Sequence, residues 1–347
     1  MKSAAAHASA YVLSVLRVPP LLHKTAFRER LTVLTYHAVV PSPLDLYHWC
    51  FLHAEAFRKQ MSYLRDVFEV LPLQVALARV RAGAITRPTA AVTFDDGYDN
   101  NFRIAYPILR ELGVPATVFL TTGYLDSSDT IWDCRLHRAF STTTQPHMAW
   151  KGSRFDLSSP ALKAEAFMRM QASLKEHPHP QLLEETKHIV QTLGDDPHAP
   201  IEPGSPYRML DERAVRDMAG SGLVDFGAHT RTHAILSRLP AADQRREMES
   251  SLSTVERLTG KPCTLFAYPN GRRCDYSEET ISMLQHLGVD AAFTAVEGPV
   301  TAADRPMEMR RYGIGADMGF ATFQLHVHHT VAWLRKLAGA VRSGINR

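Results

Sequence analysis

Residues 90–101 read AAVTFDDGYDNN. Ala91, Val92 and Phe94 predict a short buried strand, which stops at two adjacent carboxylates, Asp95 and Asp96. Gly97 then turns the chain, and a helix is expected over 100–112 with Gly113 as its stop. Neighbouring ionised carboxylates repel, so a pair at a strand end calls for a cation or a shared proton. Asp96 can bind a metal while Asp95 stays free to take a proton from water held there. On the dipeptide alone, a turn with Asp as helix N-cap explains as much.

Working outward, residues 32–36 (TVLTY) form a β-rich run that ends at His37. Helical spacing of Phe57, Met61 and Leu64 predicts a helix over 54–66, and 73–81 a second. Downstream, 115–120 is a buried strand that runs into Thr121 and Thr122. Regular alternation lapses over 126–208, which reads as an insertion with helices at about 160–175 and 181–193. It then resumes with strands at 223–227, 263–268, 291–294 and 309–314, separated by helices at 211–219, 241–258 and 277–287. Strands alternating with helices predict a parallel α/β sheet, and seven or eight units favour a barrel over an open sheet. In a (β/α) barrel the loops after the strands converge on one face, where active sites sit.

Composition narrows the partners. The 347 residues are 45% hydrophobic and 22% charged, as in an ordinary soluble globular protein. A net charge of +3, with no basic run interleaved with aromatics, argues against nucleic acid. Cys50, Cys134, Cys263 and Cys274 form no CxxC pair, which fits reduced thiols in a cytoplasmic protein and excludes a cysteine-rich zinc module. Residues 1–30 read as an N-terminal helix and linker. The apolar piece 11–18 is short, broken by Arg17 and halted by Pro19 and Pro20, without a clear cleavage site. No run is long and apolar enough to span a membrane.

The chemistry is carried by HTRTH, residues 229–233, delivered by the strand at 223–227. In a turn of helix, His229 and His233 would lie on one face and could share an ion. Two histidines and a carboxylate make a common three-ligand metal set that leaves positions open for water and substrate. Alone, such a pair is more often structural; joined to Asp95 and Asp96 on the same face it points to a catalytic site. FAYPNG, residues 266–271, is again a strand and a tight turn, whose backbone N–H groups can face a developing oxyanion.

Together these residues resemble the polysaccharide deacetylase family, metal-dependent carbohydrate esterases that share a NodB homology domain. TFDDG at 93–97 matches the first family motif, HTRTH at 229–233 the second and FAYPNG the third, over roughly residues 30–320. The resemblance implies a distorted (β/α) barrel of about seven strands. It implies hydrolysis of an acyl group from nitrogen or oxygen of a sugar. Asp95 would be the general base, Asp96, His229 and His233 the metal ligands, and the Tyr268 backbone region would help hold the oxyanion. Pro269, Asn270 and Gly271 would line the substrate site. Zinc is the default ion, and nickel, cobalt or iron also suit an Asp/His₂ set with open positions.

VLTYH, with His37 after its strand, is similar to a branch acting on bacterial exopolysaccharide amino sugars, in which this histidine lies at the active-site rim. Trp132-Asp133 also looks like a pattern of that branch and is expected at the substrate cleft. Two departures stand out. Ala267 occupies the place of the arginine that orients the base in chitin deacetylases, so Arg310 or Arg311 is expected to supply that charge, Arg311 being the one put in the site. No histidine matches the fifth motif; His326, His328 and His329 lie too far into the C-terminal helix to be assigned. The rival readings are a deacylase of a lipid-linked amino sugar and a non-catalytic carbohydrate-binding relative. An acetylated carbohydrate is the expected partner, with the oligomeric state open. Residues 11–22 and a C-terminal amphipathic helix over 321–347, carrying Trp333, Leu334, Leu337 and Val341 beside Arg335, Lys336, Arg342 and Arg347, suggest a cytoplasmic protein in peripheral contact with the inner membrane.

Overall fold

The β-branched and aromatic runs of the sequence assemble into one curled parallel sheet. The computed structural model describes residues 11–14, 16–27, 29–331 and 333–334. In chain order, helix α1 (Val18–Ala26) leads into β1 (Leu31–Tyr36), β2 (Ala38–Val40) and β3 (Phe51–His53). Helix α2 (Ala54–Val67), β4 (Glu69–Val70), α3 (Leu73–Arg81) and β5 (Thr89–Phe94) follow. Phe57, Met61 and Leu64 of α2 are fully buried, as their helical spacing predicts. After β5 the chain enters a π-helical turn (Asn101–Ala105) and then α4 (Tyr106–Leu112), which ends at left-handed Gly113 and gives way to β6 (Ala116–Leu120).

The stretch after β6 holds α5 (Trp132–Thr142), an antiparallel hairpin of β7 (His147–Trp150) and β8 (Ser153–Asp156), α6 (Pro160–Leu174) and α7 (His179–Thr192). Trp132, Phe140, Phe155, Phe167, Met170 and Ile189 pack together here in a core of their own, separate from that of the barrel. Regular alternation returns with α8 (Glu212–Gly220), β9 (Val224–Ala228), α9 (Ala241–Thr259), β10 (Leu265–Ala267), α10 (Glu278–His286), β11 (Ala291–Phe293), β12 (Tyr312–Gly313) and α11 (Phe320–Val327).

The strands run in the order β11-β10-β9-β6-β5-β1-β12, all parallel, with β4 added beside β5. Single bridges from Leu31 to Val300 and from Phe293 to Met309 draw the two edges together into a distorted (β/α) barrel. Every residue of β1, β5 and β6 is buried, as expected for parallel strands covered on both faces. The register decides what meets at the strand ends. Tyr36 pairs with Phe94, so His37 and Asp95 leave the sheet side by side. Leu120 pairs with Ala228 and Ala228 with Phe266, which brings Thr121, His229 and Ala267 to the same level.

At the outside of the barrel, α1 and the end of α11 meet in a buried histidine cluster. His23 Nδ1 lies 3.0 Å from His328 Nδ1, whose Nε2 is 2.8 Å from the Tyr63 hydroxyl. The Tyr312 hydroxyl is 2.8 Å from His329 Nδ1. Burial, helped by the Arg30 charge, lowers His23 from its ordinary 6.5 to about 4, and burial lowers His328 to about 3. The unfolded chain therefore takes up protons that the folded one refuses. Stability from this cluster is complete above pH 6.5 and is lost as the pH falls from there towards 4 for His23 and about 3 for His328. Thermal melts should show the midpoint falling across that window, and His23→Leu should flatten the decline. An unaltered acid-side profile in that variant would exclude His23 as its source. Leu337, Val341 and the basic residues Arg335, Lys336, Arg342 and Arg347 lie outside the described residues.

Candidate active site

Asp96 sits just past β5 in the left-handed region at φ 74°, and Gly97 follows at φ 84°. This tight turn aims the Asp96 carboxylate inward. Its Oδ1 lies 3.4 Å from His229 Nε2 and 3.2 Å from His233 Nε2, and all three residues are buried. His229 Nδ1 is 2.7 Å from the Ala267 carbonyl; donating there leaves Nε2 as a lone pair pointing at Asp96. Asp96 Oδ1 is buried without a hydrogen-bond donor. One carboxylate oxygen and two imidazole nitrogens facing each other across so short a gap are the donor set of a divalent ion, and the residues fit one.

The helical turn expected over 229–233 is not present: the residues form a loop after β9. Thr230 and His233 adopt φ 63° and 59°, and these two reversals, instead of an i,i+4 face, bring the imidazoles together. For a β-branched residue such as Thr230 this region is a genuine outlier. Asn270 of the FAYPNG turn is left-handed too, at φ 58°. Such backbone strain costs about 1–3 kcal/mol per residue and persists only where the surroundings impose it.

Asp95 belongs to Arg311. Nη1 and Nη2 of the guanidinium donate to Asp95 Oδ1 and Oδ2 at 2.7 and 2.8 Å, and Nε donates to the Thr294 carbonyl at 3.1 Å. Both side chains are almost fully buried. Burial alone would raise the Asp95 carboxyl, but the charge and hydrogen bonds of Arg311, together with the nearby His229 and His37, outweigh it and hold the group below its ordinary value. Arg310 faces away, 3.7 Å from Asp304. Arg311 therefore supplies the charge for which Ala267 has no side chain.

Asp95, Asp96, His229 and His233 line a cleft of about 450 Å³ together with His37, Tyr268 and Asn270. Burial lowers the pKa of His37 despite the nearby Asp96 and Asp95 charges, and its ring packs edge-on against Trp49. Pro269 and Gly271 are not among the lining residues. They shape the turn: Gly271 donates to the Pro269 carbonyl, and a Cβ at Gly271 would lie 2.6 Å from the Ala295 nitrogen. The Tyr268 N–H donates to the Phe293 carbonyl at 3.0 Å, so it is engaged in the sheet and does not face an oxyanion. Trp132 points into the separate core of the 126–208 stretch, not into the cleft; its neighbours Ile131 and Asp133 reach the cleft instead.

Several lining residues lie outside the motifs, namely Trp49, Gln171, Lys175, Asp317 and His326, while Asp133 comes from the Trp132-Asp133 pattern expected there. Asp133 receives a hydrogen bond from Gln171 at 2.6 Å and lies 3.2 Å from His48 Nε2. His326, expected to be too far into the C-terminal helix, lies at the cleft, whereas His328 and His329 are in the outer cluster. The signal for Asn100 and Asn101 was present in DDGYDNN. Asn101 donates to the His37 carbonyl at 2.7 Å, and Asn100 accepts from Val39 at 2.9 Å, locking the β1 exit to the β5 exit.

Residues 82–292 match a family model described as polysaccharide deacetylase. YxkH of Bacillus subtilis, which carries a polysaccharide deacetylase name, is 20% identical over 306 residues, covering 88% of this chain and 78% of its own. Among solved structures, the deacetylase PplD of Streptococcus pyogenes in complex with acetate superposes with a TM-score of 0.57 at 17% identity, covering 86% of this chain and 98% of that one. IcaB from Ammonifex degensii gives 0.56 at 20% identity, with 86% and 97% covered. At these identities the structural likenesses concern the fold.

Proposed function

Because the chain belongs to the polysaccharide deacetylase family, a family of hydrolases, we propose that it is a metal-dependent enzyme removing acetyl groups from the sugar nitrogen, or oxygen, of a bacterial polysaccharide or its saccharide precursor. The observation that carries this reading is the pairing of the Asp96, His229 and His233 donor set with an Asp95 held by Arg311. Asp96, His229 and His233 would hold a divalent ion, zinc by default, which supplies Lewis-acid chemistry by lowering the pKa of water and polarising the acyl oxygen. Asp95, kept ionised by Arg311, accepts the proton of the attacking water. Arg311 also fixes both carboxylate oxygens of Asp95 in one plane, so the base does not reorient between turnovers. The VLTYH opening, similar to that of a branch acting on bacterial exopolysaccharide amino sugars, supports such an amino sugar as substrate. Acetate release by the purified protein from a panel of acetylated glycans, with and without a chelator, tests the reading. No release from any of them, or release indifferent to the chelator, would overturn it.

The cleft wall predicts how the sugar is held. Trp49 is 41% exposed at the rim, a flat apolar surface for a pyranose ring, and Asp133 offers a fixed acceptor for hydroxyls. Trp49→Ala should raise KM about three- to tenfold with little change in kcat, the loss of roughly 1 kcal/mol of aromatic contact. Steady-state kinetics on the substrate found by the panel would show it, and an effect confined to kcat would refute the assignment.

We further infer a cytoplasmic protein with a fraction on the inner membrane surface. Tyr11, Val12, Leu16 and Leu21 are 54–66% exposed beside Arg17 and Lys24. Apolar side chains flanked by cations suit an anionic lipid surface. No helix among the described residues is long and apolar enough to cross a membrane. Cell fractionation should find a membrane-associated portion released by high salt, since exposed charge attraction is screened. Recovery of a processed form beyond the inner membrane would contradict this.

A further inference from the structure

The loop that carries both imidazoles is fastened from outside by α9. Glu247 Oε2 accepts from the Arg231 N–H at 2.9 Å and from the Thr232 N–H at 2.8 Å, while Oε1 accepts from the Thr232 hydroxyl at 2.8 Å. Successive amides next to a left-handed residue form a concave nest for an anion. Here the preceding residue is Thr230, at φ 63°, and the anion is a carboxylate of the chain itself. On the opposite side the Gly123 N–H donates to the Arg231 carbonyl at 2.7 Å, and a Cβ at Gly123 would lie 2.5 Å from that oxygen. Residues 231 and 232 are thus gripped from two sides. His229 and His233 flank the grip, and His233 leaves it in the left-handed region at φ 59°.

We propose that Glu247 is the positioning residue of the Asp96, His229 and His233 centre: by filling the nest it sets the angle at which the two imidazoles face Asp96. This rests on the metal-dependent reading above. The physical reason is that the loop conformation is intrinsically disfavoured at Thr230. Without the carboxylate two neighbouring amides lose their acceptor, and the loop can relax to ordinary φ values. A displacement of the imidazoles by a fraction of an ångström is enough to spoil a three-ligand set. Glu247 touches no reacting atom, so its effect passes through the loop. A clamp serving stability alone would lower the melting temperature and leave metal affinity untouched.

The test uses the full chain, with Zn²⁺ affinity measured by competition against a chelating dye and with the absorption spectrum of the Co²⁺-loaded protein. Glu247→Ala should weaken Zn²⁺ by about 10–100-fold, the usual effect of losing a group that supports metal ligands. It should also change the Co²⁺ spectrum and recover kcat in excess Zn²⁺. Glu247→Gln keeps an oxygen for the two amides and should stay much closer to the parent protein. Alanine favours the helix at this position, so the variant should fold. Parent protein that binds Zn²⁺ while Glu247→Ala binds it equally well, with the same Co²⁺ spectrum, overturns the proposal alone. Parent protein that binds no Zn²⁺ overturns the metal reading and this proposal with it.

Discussion

Asp95→Asn is expected to retain its metal and to lose about 10²–10⁴-fold in kcat, the usual contribution of a general base. An amide cannot take the proton, and Asp95 has no role in the Asp96, His229 and His233 donor set. Asp96→Asn should behave differently: it weakens the metal site itself, so excess metal should restore part of its activity, while Asp95→Asn should not respond. Arg311 complicates the comparison. Its guanidinium is buried and makes both of its Asp95 contacts at 2.7 and 2.8 Å. Removing one partner of a buried ion pair typically costs about 3–5 kcal/mol, so Asp95→Asn should also melt at a lower temperature. Circular dichroism at the assay temperature separates the two effects, because only a folded sample with full metal and slow turnover matches the expectation. If Asp95→Asn is the variant rescued by metal, the roles of the two aspartates are reversed.

The second large effect is the loss of the metal itself. On the proposed metal-dependent reading, replacing His229 or His233 removes one of the three candidate ligands found among the described residues and should lose most bound metal and activity with the barrel intact. His233 holds φ 59°, so alanine there adds backbone strain to the loss of a ligand. His233→Asn tolerates that region and is the cleaner variant. His229 additionally bonds the Ala267 carbonyl through Nδ1, so His229→Ala also leaves that acceptor without its 2.7 Å partner. Elemental analysis of the purified variants decides the matter: full occupancy in the double variant would show that the ion, if bound, is held elsewhere.

The barrel could be read from the sequence because its strands are short, rich in apolar and β-branched residues and separated by helices. Residues 73–81 were bounded to the residue, and Gly113 ends α4 where its left-handed preference demands. Asp95, Asp96 and His229 could be placed on one face because they come at a strand end, and His233 because HTRTH ties it to His229. What pattern alone did not show is what depends on tertiary register. Helix α5 carries Asp133, Arg135 and His137 on buried positions, which a polarity pattern reads as surface. HTRTH has helical spacing but a loop conformation, because Glu247 and Gly123 impose one from distant parts of the chain. The Trp132-Asp133 pair expected at the cleft divides: Asp133 reaches it, while Trp132 lies in a separate core. A side chain's direction one position along a helix start is beyond what composition can resolve.

The separate core of the 126–208 stretch has a consequence for how such an enzyme diversifies. Gln171, Lys175 and Asp133, which line the cleft, hang from a unit stabilised by Phe140, Phe155, Phe167 and Met170, while Asp95, Asp96, His229 and His233 hang from the barrel. On the proposed function, selectivity and turnover are thus inherited on different hydrophobic cores. A lineage can rebuild the wall that chooses its sugar, including the length and sequence of the whole stretch, at little risk to the sheet that performs the hydrolysis.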